Sequence, residues 1–243
     1  MKKAILFAVA LFATSLTQAQ IGKLNKAADM AKAKVMGGDL SEEQVGQGLK
    51  EALDKGVGSA VDFLSAKDGY FKSPYKILLP EEAQTVVKKV GKLPGFTNLE
   101  DDLTERMNRA AEDAAVKAKP IFVKAIKNMT FKDAMNLLMG DKNAATKYLE
   151  SNTSASLYTE FLPVIQESLD KVNARELWKK SVTAYNKLPM AKETNPNLDD
   201  HVTKMALAGM FQLVEKKELD IRSNPSLRST ELLKKVFGKQ DKK

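Results

Sequence analysis

One histidine occurs in the chain, His201 in the run LDDHV (198–202), directly after Asp199 and Asp200. Metal motifs built on paired histidines are therefore ruled out, and the absence of cysteine removes thiolate ligands, disulfides and Cys nucleophiles. Asp199, Asp200 and His201 could offer a few oxygen and nitrogen ligands, but no calcium-loop spacing surrounds them. Acids at the start of a helix are expected from capping alone. No metal site and no cofactor is implied. Serine chemistry finds little support. There is no G-x-S-x-G motif, and Gly56-Val57-Gly58-Ser59 falls inside a helical pattern. Ser-x-x-Lys occurs at Ser73/Lys76 and Ser168/Lys171, as often as chance expects in so lysine-rich a chain. No catalytic residue is assigned.

The remaining chemistry is that of carboxylates, and Glu112 is the best single candidate. It lies in MNRAAEDAAVKAKPIF (107–122), where Leu103, Met107, Ala111, Ala114 and Ala118 share one helix face. Arg109 points almost oppositely, with Glu105, Glu112 and Asp113 at ion-pair spacing. Asn108 and Glu112 stand on the border of the apolar face, where a buried polar contact would form. A buried Glu112 needs a partner, because an unpaired interior carboxylate is costly. Arginine is scarce, and Arg222 and Arg228 flank the Asn224-Pro225 turn. The expected polar cluster is therefore Asn108, Glu112, Arg222, Asn224 and Arg228, with the C-terminal segment clamped to the bundle by arginine–carboxylate contacts that could include Glu112.

Helices must position these groups. Ser41-Glu42-Glu43-Gln44 is a capping-box start for a helix to about Ala66. Its apolar stripe is Val45, Leu49, Leu53, Val57, Val61 and Leu64, beside a row of small residues, Gly48, Ala52, Gly56 and Ala60, that invites a close neighbour. Residues 67–82 form the longest connection, with an Asp68-Gly69 turn and an extended Ile77–Leu79. Pro80 opens the next helix and Asn98 caps the one holding Glu112. Pro120 restarts helical structure, and Thr130 with Asp133 caps a short helix ending at Gly140. Asp141 caps another. A long pattern then runs from about Ser154 to Leu188 through Trp178, interrupted early by Pro163. Leu198-Asp199 begin a helix to about Arg222, Asn224-Pro225 a short turn, and Ser229 caps the last helix, which stops at Gly238. With almost no strand signal, the expected fold is all-α, a single multi-helix bundle of roughly nine or ten helices over residues 40–238, followed by a lysine-rich tail at 239–243.

The first residues bear on location. Lys2 and Lys3 precede an apolar Ala4–Ala13 run, and Thr17-Gln18-Ala19 offers a cleavage site, so residues 1–19 read as a signal peptide. Without cysteine there is no lipid-anchored N-terminus. Residues 20–39 form a basic amphipathic segment with Ile21, Leu24, Ala28, Ala31 and Val35 at helical spacing. No later run is long enough to span a bilayer. The net charge of +8 falls to +6 once Lys2 and Lys3 are removed, and it is nearly all lysine. That pattern argues against nucleic acid, which favours clustered arginine with stacking aromatics, and leaves room for a loose affinity for anionic membrane or envelope polymer.

The motifs MNRAAEDA, KPIFVKAIKNMTFKDAMNLLMGDKNAATKYL, EFLPVIQESL and MALAGMFQLVEKKELDIRSNPSLRSTELLKKVFG together resemble an uncharacterised family, the domain-of-unknown-function family 4197, over about residues 40–238. The resemblance implies an exported helical domain in a Gram-negative envelope, most simply the periplasm, and it brings no catalytic residues. His201 stands where that family more often has tyrosine, and residues 21–36 lie outside the matched region. The leading expectation is a binding module for an apolar ligand such as a lipid, an envelope component or a protein partner. Methionines at 129, 135, 139, 205 and 210 are candidates for an adaptable apolar lining. The alternatives are a carboxylate-dependent hydrolase of envelope glycans and a structural assembly subunit.

Overall fold

The computed structural model describes residues 41–194 and 196–238, so the expected signal peptide at 1–19, the basic segment at 20–39 and the lysine tail lie outside the described residues. Those residues form nine α-helices and one 3-10 turn, with no strand among them. The helices are α1 (Glu42–Ser65), α2 (Glu81–Val90), α3 (Leu99–Ala115), α4 (Ala118–Asn128) and α5 (Phe131–Met139). They continue with α6 (Ala144–Lys171), α7 (Ala174–Asn186), α8 (Leu198–Ser223), the 3-10 turn Pro225–Leu227 and α9 (Glu231–Gly238). The fold is all-α.

The periodic stripe of α1 supplies one wall of the core, since Val45, Leu49, Leu53, Val57, Val61 and Leu64 are all buried. Its small-residue row receives other helices as expected. A Cβ on Gly48 would come within 2.5 Å of Val236 on α9, and one on Gly56 would meet Lys217 of α8. The long helices α6 and α8 lie against each other, and α3 packs on both. The alanines of α3 explain how: Ala110, Ala111, Ala114 and Ala115 are at most 1% exposed, so a thin helix is enclosed on several sides.

Several boundaries differ from the sequence expectation, each for a local reason. The helix after α5 begins at Ala144 behind Asn143, and Asp141 is left exposed outside it. It then runs through Pro163 to Lys171 without stopping. An interior proline costs roughly 3 kcal/mol, but Phe161 and Ile165 on either side are wholly buried, which offsets it. The break comes at Asn173, in the left-handed region (φ 54°), which asparagine tolerates better than most residues. The expected helix at about 154–188 is thus the end of α6 and all of α7. Pro120 falls inside the first turn of α4 rather than at its start. Asn197, not Leu198-Asp199, caps α8 by accepting from the Asp200 N–H. Thr230, not Ser229, accepts from the Leu233 N–H to cap α9. The Thr130–Asp133 capping box of α5 is present in full.

Candidate functional site

Asn108 is completely buried, and its amide treats Ile77 as a neighbouring strand would. Asn108 Oδ1 accepts from the Ile77 N–H at 2.8 Å, while Nδ2 donates to the Ile77 carbonyl at 2.8 Å and to Thr104 O at 2.7 Å. One side chain thereby ties the extended 76–80 segment to α3. One turn further on, Glu112 is 5% exposed. Its Oε1 accepts from the N–H groups of Tyr70 and Phe71, both at 3.1 Å. Its Oε2 accepts from Arg109 at 2.8 Å.

Arg109 also reaches Asp68 at 2.7 Å and Glu105 at 3.2 Å, and its guanidinium lies over the Phe71 ring. Burial works against the charge on Arg109, but hydrogen bonds to Glu112 and Asp68 prevail and raise its pKa. The Arg109 hydrogen bond holds Asp68 below the ordinary carboxylate range. Asp68 occupies the left-handed region (φ 70°), in a turn so tight that a Cβ on Gly69 would strike the carbonyl of Phe63. Beside this cluster Tyr70 is fully buried and donates to Ala206 O at 2.7 Å, with its pKa pushed upward first by burial and then by the Glu112 charge.

The arginines of the C-terminal segment do not meet Glu112. Arg222 pairs with Glu218, one turn earlier on α8, at 2.8 Å. It also donates to the carbonyls of Leu138 and Leu137, at the end of α5. Glu218 in turn accepts from the N–H groups of Ala145 and Thr146 and from the Thr146 hydroxyl, at the start of α6. A carboxylate at a helix N-terminus and a guanidinium at a helix C-terminus each oppose the helix dipole there. One buried pair thus joins three helices. Arg228 donates to Ile221 O and Arg222 O, closing the end of α8, and Asn224 caps the 3-10 turn through the Ser226 N–H.

The expected cluster is therefore two separate clamps: Asn108 and Glu112 in one, Arg222, Arg228 and Asn224 in the other. Arg109 and Arg222 each take the carboxylate already within one turn, which is why Glu112 and Arg222 have no need of each other. Sequence reasoning missed Asp68 and Glu218. Glu218 was discoverable, since it follows Phe211 and Val214 on the buried face of α8 and precedes Arg222 by four. Asp113, expected near Arg109, instead accepts from Ser168 at 2.8 Å.

The aspartates before His201 are likewise engaged. Asp199 is held by Arg175 and Gln166, and Asp200 by Lys204 and Tyr158. His201 Nε2 lies 2.8 Å from Leu78 O and, facing a carbonyl, carries the hydrogen. Among the described residues every buried side-chain nitrogen and oxygen has a partner, and these clamps tie the helices to one another and to the 67–80 connection.

Open space lies elsewhere. A groove of about 1150 Å³ runs between α3, α7 and a strap before α8 that contributes Glu193, Thr194, Pro196 and Asn197. Its apolar floor includes Leu103, Met107, Leu169, Trp178, Val182 and Leu198. Along α7 the polar residues Glu176, Lys179, Thr183 and Asn186 recur at helical spacing and form its rim. The strap is pinned in place: Trp178 Nε1 donates to Pro196 O at 3.1 Å, and Asn186 exchanges two hydrogen bonds with the Thr194 backbone at 3.2 Å. None of the five singled-out methionines lines this groove; Met129 and Met210 are core residues, and Met139 and Met205 are exposed. A second space of about 20 Å³, near Gly56, Glu218 and Phe237, has room for about one water.

Residues 39–238 match the family described as a protein of unknown function, DUF4197. The chain belongs to that family. The match spans all nine helices and both clamps, so the groove and its strap are part of the DUF4197 domain. No curated protein and no solved structure matches it. Among the described residues of this DUF4197 chain, no helix is long and apolar enough to cross a membrane.

Proposed function

We propose that this DUF4197 protein is an exported binding module, released into the periplasm by removal of residues 1–19, and that the α3–α7 groove is its binding site. The groove carries the reading. Its volume slightly exceeds that of common small-molecule pockets, and it is open along its length with an apolar floor and a polar rim. That combination suits an elongated amphipathic ligand, with its apolar part along Trp178, Val182 and Leu198 and its polar groups against Lys179, Thr183 and Glu193. Binding is favoured over glycan hydrolysis because Glu112, the acid hydrolysis would call on, already has both oxygens filled by two backbone amides and Arg109.

Trp178 is the chain's single tryptophan and lines the groove, so intrinsic fluorescence reports on this site alone. The test combines native mass spectrometry of protein purified from its own envelope with fluorescence titration using a single-chain anionic detergent below its micelle concentration. A retained ligand, and a saturable change in Trp178 emission that Val182→Asp abolishes, are the expected results. A bare monomer whose emission does not respond would remove the groove as a ligand site.

A further inference from the structure

Two of the five methionines singled out in the sequence, Met135 and Met139, lie on the surface of α5. That helix buries only Ala134 and Leu138. Phe131, Met135 and Met139 recur every four residues and share another face. Phe131 and Met139 are 44% and 43% exposed, and Met135 is half-buried. One side of the Phe131 ring rests on Gly46 of α1, where any Cβ would collide with it, so the aromatic is seated rather than adrift.

The segment that carries this stripe is basic. Residues 116–140 contain Lys117, Lys119, Lys124, Lys127 and Lys132, all exposed, against one acid, Asp133. Asp133 is committed to the N–H and hydroxyl of Thr130. Among the described residues none of the five lysines forms an ion pair. A sixth lysine, Lys50 of α1, lies 5.8 Å from the centre of the Phe131 ring while donating to Lys127 O at 3.0 Å. Nearby acids on α1 and at the start of α6 are occupied: Glu43 by Gln47, Glu51 by Lys55 and Asp141 by Lys147.

We infer that the α4–α5 face is a docking surface for an anionic lipid bilayer, with Phe131, Met135 and Met139 entering the headgroup region and the lysines meeting lipid phosphates. The choice of partner follows from the charges. Protein interfaces deplete lysine in favour of arginine, because holding a flexible ammonium in a dry contact is unfavourable. An anionic lipid surface rewards each lysine without immobilising it, and an apolar stripe flanked by lysines is the arrangement by which surface helices lie on membranes. The docking surface is separate from the groove and does not depend on its role.

The test is flotation of the mature chain with vesicles of phosphatidylcholine alone, or with about one-third phosphatidylglycerol, at low salt and in ~0.5 M salt. Expected is binding to the anionic vesicles only, weakened by salt. Met139→Asp should reduce it, and a Lys124→Ala/Lys127→Ala/Lys132→Ala variant should lower affinity by roughly fivefold per lysine. These side chains are exposed, so circular dichroism should show both variants folded. A Lys180→Ala/Lys187→Ala control, at exposed lysines of α7 and the residue that follows it, should bind normally. The inference is overturned by failure to bind anionic vesicles or by equal binding to neutral ones. It is also overturned if both α4–α5 variants bind as the parent does, which would place the contact elsewhere, for example on residues 20–39.

Discussion

Replacing Glu112 by glutamine tests the α3 clamp with little change in shape. In the folded chain Glu112 is 5% exposed and receives three hydrogen bonds, from Tyr70 N–H, Phe71 N–H and Arg109. Bonds to a charged acceptor contribute about 1.5–3 kcal/mol each, and neutral ones about 0.5–1.5. Glutamine keeps one oxygen for the two amides, so that pair loses roughly 2–3 kcal/mol. The amide NH₂ then faces Arg109 and that bond is lost. Breaking a fully buried pair would cost about 3–5 kcal/mol, but the Arg109 side chain is 26% exposed and keeps Asp68 and Glu105. The loss there is nearer ~1 kcal/mol. The expected total is about 3–4 kcal/mol, or a fall in Tm of roughly 6–16 °C for a domain of this size. Urea unfolding followed by circular dichroism measures it. Glu112→Ala should cost more, because Tyr70 and Phe71 also lose their acceptor. A Glu112→Gln midpoint within ~0.5 kcal/mol of the parent would refute the assignment of Glu112 as the anchor of the 67–72 turn.

Two further outcomes follow from the other polar contacts. Arg222→Ala strands the Glu218 carboxylate and two carbonyls of α5, and should destabilise by about 3–5 kcal/mol in the same unfolding assay. In a double-mutant cycle with Glu218→Gln the two losses should be strongly non-additive. Asp133 is held below the ordinary carboxylate range by its hydrogen bonds to the Thr130 hydroxyl and then its backbone N–H. Its capping contribution is thus fully present above the unfolded-state pKa and lost as pH falls through the lower folded one. Asp133→Asn should flatten that part of the acid-side stability curve, and NMR titration of the Asp133 carboxyl should show the depressed midpoint.

Most of the helical architecture was legible because its signals are local. The α1 stripe, the Thr130–Asp133 box and the Asn224 turn are set by residues within one or two turns of each other, and the structure shows each of them. Burial of Asn108 and Glu112 was also legible, since it follows from their angle on α3. Reading failed where local signals compete with packing. Pro163 looked like a boundary, but Phe161 and Ile165 are buried deeply enough to carry α6 through it. Asn173, an unremarkable residue in sequence, became the break because it could adopt the left-handed conformation.

The amino-acid sequence by itself determined that the described residues are helical and which helix faces turn inward. Those follow from periodicity and capping, which act over a few residues. Tertiary structure decided the partners. The Glu112–Arg109 pair is local, but whether the 67–72 turn lay within reach of Glu112 depended on how segments some forty residues apart come together. The same is true of the groove and of the exposed α5 stripe. Each is a space or surface left by the packing of several helices, and no single segment encodes it.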